Sequence, residues 1–322
     1  MAKKNRIRLL IVGDTHGDDR TPDTRKDDYL TATLAEMQEC VEIGENEKCD
    51  LVVHLGDIFH RMEPNGNCRN SFMRLLNKTT VPWYTVLGNH DCKHHPENLP
   101  DSALGTLIDA GCIKFQDEIP EYGIGCVHFR ASVAEDLKEG FLKDKPWVIV
   151  AAHASITLAP YFGSYVLLED IPIHPKTKLI TCGHIHDPMQ ATRKDGVKFI
   201  NPGSVCRNAM TKTNMERTPQ VLFVEYDLDG NIYETRLIDI KSSQPAAHVF
   251  KIEEVQARKD QKSDSDQYMK QISVIKTIKR DVDVYESVRN SGKLKQISKE
   301  VIALAVQTLQ DVNDNASVDQ ST

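Results

Sequence analysis

The chain has 322 residues and a formal net charge of -7, with 40 Lys and Arg set against 47 Asp and Glu. That length accommodates one large domain, or one domain plus an appendage, and the acidic balance gives no general pull toward nucleic acid, so such binding would need a local patch or a metal. Eight cysteines with no C-x-x-C pair exclude zinc fingers and read as reduced thiols, and with no signal-like N-terminus and no bilayer-spanning apolar run the expected location is cytoplasmic.

The first predicted strand is "IRLLIVG", ending at Gly13. Tyr29 to Val41 follows with Leu30, Leu34, Met37 and Val41 at roughly helical spacing. "DLVVHLGD" at Asp50 to Asp57 repeats the form of the first strand, and His54 inside it reads as a packed core histidine. "VPWYTVLG" is the third strand, and "WVIVAAH" and "KLITCGH" come later. This alternation predicts a layered α/β domain. The later stretches "VKFINPGS" and "QVLFVEYDLDGNIYETRLIDI" read as strands with an Asp229-Gly230 hairpin turn, so two packed sheets fit both halves. From Ala246 the composition turns polar and charged. The predicted division is a domain over 1–245, a linker over 246–264, a helical region over 265–311 and a flexible tail over 312–322.

Five apolar runs end in side chains of the metal-binding kinds. They give Asp14 and His16 in "VGDTHG", Asp57 in "HLGDIFH", Asn89 and His90 in "LGNHD", His153 in "VAAHAS", and His184 and His186 in "TCGHIH". Strand ends are where open α/β sheets bind ligands, and parallel neighbours would gather these ends along one rim. Imidazoles, carboxylates and an amide oxygen suit Mn²⁺, Fe²⁺ or Zn²⁺. The donors are too many for one tetrahedral ion and suit two ions sharing a bridge, with Asp57 as the natural bridge. Paired ions about 3.5–4 Å apart are a common apparatus for phosphoester hydrolysis. In that reading Asn89 holds metal and His90 faces the substrate, while His94 and His95 read as a solvated loop, with lining of the substrate approach as the alternative.

The set D-x-H, G-D, G-N-H-D, H and G-H-x-H resembles the signature of the calcineurin-like metallophosphoesterase superfamily, over roughly Ile7 to Ile240. The resemblance implies a four-layer α-β-β-α sandwich with a dinuclear site, here with a C-terminal helical appendage. It implies one ion on Asp14, His16, Asp57 and His186, and the other on Asp57, Asn89, His153 and His184, most naturally Mn²⁺. It further implies that His90 protonates the leaving oxygen and that Asp91 orients His90.

"GDIFH" adds His60 three residues after Asp57, and this resembles SbcD-type DNA repair nucleases, in which the corresponding histidine helps position the phosphodiester. "GDTHG" is more phosphatase-like, and the stretch between Ile240 and the tail helices is too short for the nucleases' usual capping domain; the length is that of the short nuclease subunits of large phages, which fits a phage or bacterial origin and, if phage-encoded, the host cytoplasm. The resemblance implies DNA as substrate and an SbcC-type SMC-like ATPase as partner, gripped by C-terminal helices at Met269–Val288 and Leu294–Leu309. A homodimer is allowed for, and no membrane is involved. A general phosphodiesterase or phosphatase is the alternative; a non-catalytic scaffold is disfavoured because no ligand is missing.

Overall fold

In the computed structural model, residues 6–257 and 298–307 are described. The first half runs β1 (Ile7–Val12), α1 (Tyr29–Asn46), β2 (Leu51–His54), α2 (Gly66–Leu76), β3 (Trp83–Thr85), α3 (Ala103–Asp109) and β4 (Lys114–Phe115). These are β-α units whose strands pair in parallel in chain order. Each helix starts on a short polar side chain that accepts an otherwise unpaired amide: Asp28 from Thr31, Asn65 from Cys68 and Ser102 from Gly105.

The second half runs β5 (Glu118–Ile119), β6 (Ile124–Val127), α4 (Val133–Glu139), β7 (Ile149–His153), β8 (Ile156–Thr157), β9 (Val166–Leu167), β10 (Leu179–Gly183), β11 (Met189–Thr192) and β12 (Lys198–Asn201). After α5 (Lys212–Glu216), the hairpin β13 (Gln220–Tyr226) and β14 (Ile232–Asp239) returns to the first sheet, and α6 (Ala246–Val249) follows. One sheet is ordered β14-β13-β1-β2-β3-β4 and the other β11-β12-β10-β7-β6-β5, with β8 and β9 as a separate pair.

Strand β1 shows how sequence selects the layers. Its side chains alternate, as a pleated strand requires: Leu10 and Val12 pack with the helices α1 to α3, while Ile7, Leu9 and Ile11 pack between the two sheets. A third apolar cluster joins the outer face of the second sheet to Val133, Ala134 and Leu137 of α4. Helices, sheet, sheet and helix therefore make a four-layer α-β-β-α sandwich, as the motif set implied. A strand buried on both faces must be apolar throughout, which is why β1 reads as a continuous run.

The chain divides into two compact units, Met1–Phe250 and Lys251–Thr322. The first unit reaches five residues past the boundary expected at 245. Val249 and Phe250 are buried, and Phe250 bridges to Arg25, so the start of the polar stretch belongs to the domain. In the second unit, residues 252–257 and 299–307 are helical. Ala305 and Val306 are buried there while Leu304 is exposed, a face different from the expected stripe through Leu304. The predicted helix Met269–Val288 and the expected tail over 312–322 lie outside the described residues. No helix among the described residues is long and apolar enough to cross a membrane.

Candidate metal centre

The motif residues come together at the carboxyl ends of β1, β2, β3, β7 and β10. The rim has two sides, however, because the first three strands belong to one sheet and the last two to the other. The site is therefore a seam between facing sheets and not the edge of one.

Two donor sets meet there. In the first, His16 Nε2 lies 2.8 Å from His186 Nε2, and Asp14 Oδ2 lies 3.9 Å and 3.5 Å from them respectively. In the second, Asn89 Oδ1 lies 3.0 Å from His153 Nε2 and 2.8 Å from His184 Nδ1. Asp57 Oδ2 belongs to both, at 3.6 Å from His16 Nε2 and 3.5 Å from His153 Nε2. Its other oxygen accepts the backbone amide of His90 at 2.8 Å, which leaves Oδ2 facing both donor sets.

Backbone geometry is bent to achieve this. His16, Asp57 and His184 have φ of 51°, 54° and 78°, in the left-handed region that non-glycine residues avoid at roughly 1–3 kcal/mol each. The strain is held by hydrogen bonds between loops. Thr15 and His16 amides both donate to the Asp57 carbonyl, and the His184 amide donates to Asp14 Oδ2. Gly88 allows the third loop to approach, since a Cβ there would sit 2.1 Å from Asp57 Oδ1.

Protonation follows from burial. Burial works against charge on Asp57, but the facing His153, with His16 and His90, outweighs it and holds the carboxyl well below the ordinary range. Burial likewise works against charge on His153, yet Asp57 raises it to about 9, so these two form an ion pair. Burial pushes Asp14 up to about 7, and the Asp57 charge adds to the effect. His184 and His186 are pushed down to about 4, chiefly by burial, and His16 also lies well below its ordinary value. Neutral imidazoles are the form that binds metal.

The donors fit a metal pair. Asp14 Oδ1 is fully buried and has no hydrogen-bond partner, a state that otherwise costs several kcal/mol. His153 Nδ1–H donates to the Leu55 carbonyl at 2.7 Å, which turns Nε2 toward the centre, where a bound metal would take the place of the proton that pairs it with Asp57.

The profile of the calcineurin-like phosphoesterase family matches residues 7–188. The chain belongs to this family. The protein is accordingly a metallophosphoesterase, a hydrolase of a family that works with a dinuclear metal centre. It is 28% identical over 209 residues to the DNA double-strand break repair protein Mre11 of Sulfolobus acidocaldarius, covering 59% of this chain and 51% of that one. It is 23% identical over 292 residues to the protein of the same description from Thermoplasma acidophilum, covering 82% and 70%. The chain thus spans about half the length of the Sulfolobus relative. Solved structures similar to it include a dimetal phosphatase from Danio rerio (13% identity, TM-score 0.40) and TT1561 of Thermus thermophilus (14%, 0.42), each covering 73% of this chain and 99% of that one.

One expectation for this metallophosphoesterase needs correction. Asp91 does not orient His90. It is buried beneath the loops and accepts the backbone amides of Asp57, Phe59 and Gly88 at 2.8, 3.1 and 3.2 Å. Burial and the Asp57 charge push it up to about 8, against the Phe59 and Gly88 amides. His90 is oriented instead by the backbone of His60, whose carbonyl accepts from His90 Nδ1–H at 2.7 Å. The His60 and His90 rings stack at 4.9 Å, and His60 Nδ1 lies 3.3 Å from His16 Nδ1. His54 is a core histidine, as read, bonded to Thr15 Oγ1 at 2.7 Å.

Neither Phe129 nor Asn201 is among the expected site residues, yet both shape the centre. The Phe129 ring stands edge-on to His153 and roughly parallel to His184, with centroids 6.3 and 6.4 Å away. Asn201, in "NPGS", donates to the Ile185 carbonyl at 2.8 Å and accepts the Gly203 amide, bracing the loop of His184 and His186. An asparagine before Pro-Gly at a strand end is the signal that could have indicated such a brace.

Proposed function

We propose that the protein hydrolyses phosphodiester bonds of DNA in the manner of an SbcD-type nuclease, with Mn²⁺ as its working ion. The observation that carries the reading is the placement of His60. It stacks on His90 beside the donor cluster and lines, with His90, a cavity of about 390 Å³. A protein phosphatase motif would have no histidine there, and the two relatives described as Mre11 support the nuclease branch.

Each residue then has a task. Asp14, His16, Asp57 and His186 would hold one ion, and Asp57, Asn89, His153 and His184 the other. When bound, the pair supplies Lewis acidity to the phosphate and acidifies water. His90, its Nδ1–H donating to the His60 carbonyl, would act as an imidazolium that gives its Nε2 proton to the leaving oxygen and is left as the neutral Nδ1–H imidazole. His60 steadies the phosphodiester alongside it. Asp91 ties down the loop that carries Asp57. In this reading the segment 265–311 grips an SbcC-type ATPase, and the enzyme works in the cytoplasm.

The test is a parallel assay in Mn²⁺ with labelled single- and double-stranded DNA beside a panel of small phosphomonoesters and diesters. Cleavage of DNA that falls at least tenfold in His60→Ala, with metal content retained, is the expected result. Turnover confined to small phosphoesters would replace this reading with a general phosphodiesterase or phosphatase.

A further inference from the structure

The cavity beside His90 is lined by two segments, His60 to Glu63 and His90 with Lys93 and His94. Its cations differ in availability. Arg61 is committed: it donates to both oxygens of Asp18 and to Asp19 at 2.7 Å, which ties two loops together. Lys93 has no ion pair among the described residues and is exposed. It sits three residues beyond His90 on a turn pinned from below. The His94 amide donates to the Asn89 carbonyl at 2.7 Å, and Asn98 donates to the Cys92 carbonyl.

That turn is strained. Lys93 and His94 are successive non-glycine residues at φ 53° and 65°. Ordinary turns put glycine or asparagine in such positions, so the fold here retains a cation and an imidazole at a cost in backbone energy. His94 is braced against Phe129, with centroids 5.9 Å apart, so the turn is fixed against the wall of the metal centre. Among the lining residues only Glu63 carries negative charge.

We propose that Lys93 and His94 form a subsite for a second phosphate, the one that flanks the scissile group along a polynucleotide strand. The subsite rests on the phosphodiesterase reading and extends it: the substrate class is a polyanion with phosphates in series. A single unpaired ammonium on a rigid turn next to the proton donor is what such a substrate can use and a lone phosphodiester cannot. Glu63 opposes the same phosphate and moderates the grip.

The experiment uses the full chain and two probes, a fluorescent ten-residue oligothymidylate and bis(p-nitrophenyl) phosphate. Binding of the oligonucleotide is followed by anisotropy across a salt series, and hydrolysis of both probes is followed in Mn²⁺. Lys93→Gln is expected to weaken oligonucleotide binding by roughly fivefold and to lower the slope of log K against log salt by about 0.7, one phosphate contact on a single strand. Glu63→Gln is expected to tighten binding, Lys93→Arg to preserve it, and bis(p-nitrophenyl) phosphate turnover to stay unchanged in all three. An unchanged salt slope in Lys93→Gln, or an equal loss on both probes, overturns the subsite. Oligonucleotide binding that depends on Lys93 without cleavage would instead overturn the nuclease reading and leave the subsite standing.

Discussion

At the scale of single residues, the centre separates groups that hold charge from groups that move it. His90→Ala is expected to abolish turnover while metal content stays at the parent level, because its side chain contacts the His60 carbonyl and lies outside the two donor sets. Asp57→Ala is expected to lose both ions, since its Oδ2 serves both sets. Metal analysis of the two purified variants checks this, and loss of metal in His90→Ala would contradict the assignment. Asp91→Ala should behave differently from either. It strands three buried amides, at about 1–3 kcal/mol each, so the main loss should appear in the urea midpoint. Asp91→Asn, which keeps one oxygen, should fall between. A different signature belongs to His128, which accepts the Leu87 amide at 3.1 Å and is pushed down to about 4, mainly by burial. The folded state holds it neutral, so its contribution is complete above about 6.5 and drains as pH falls toward about 4, by up to about 3 kcal/mol. His128→Gln is expected to flatten that part of the curve. The check is the difference in urea stability between variant and parent at pH 7 and pH 5; an identical difference at both would refute it.

At the scale of elements, the ends of strands carry the chemistry and the wall beside them sets its geometry. Phe129 follows β6, its amide donates to the Leu87 carbonyl, and its ring limits how His153 and His184 can rotate. Phe129→Ala is expected to weaken the ion held by Asn89, His153 and His184 by about tenfold, and to spare the other ion. Metal titration with two resolved affinities reads this, and an equal loss at both would point to a general structural defect. Much of this level was legible in the chain itself. Apolar runs closing on Asp14, Asp57, Asn89, His153 and His184 announced both the strands and the cluster of donor side chains at their ends, because a strand buried on both faces leaves polar residues only at its ends. Helix α1 was visible from its spacing, although its buried face also includes Thr33 and Glu36, which periodicity of apolar residues cannot reveal. What could not be read was contact between distant segments. Asp91 beneath the amides of Asp57 and Phe59, and Phe129 against His184, depend on how the loops after different strands of a sheet fold over one another, and no local pattern encodes that. The boundary at Phe250 was missed for a similar reason, since two apolar residues in a polar stretch give a weak signal.

At the scale of the whole molecule, the compact unit ends at Phe250, and truncation after Lys251 is expected to leave a folded, metal-dependent hydrolase. Thermal melting and bis(p-nitrophenyl) phosphate turnover check this; failure of the shortened chain to fold would show that the second unit is required. Chelation should lower the melting temperature of the full chain, and Mn²⁺ at 100 times its dissociation constant should restore about 2.7 kcal/mol. Because Asp14, His16, Asp57 and Asn89 lie at strand ends of one sheet and His153, His184 and His186 at strand ends of the other, ions held by them would act as a clasp on one edge of a closed book. The opposite edge, at the amino ends of the parallel strands, is held by apolar packing and by the Tyr226 hydroxyl, which donates to the Tyr122 carbonyl at 2.7 Å. Unclasped, the sandwich would gape first where the catalyst sits, so amide exchange in the metal-free protein would quicken at the carboxyl ends of β1, β2, β7 and β10 before their amino ends. Departure of the ions would then be the opening event of unfolding, and catalysis would fail on heating well before the sheets separate.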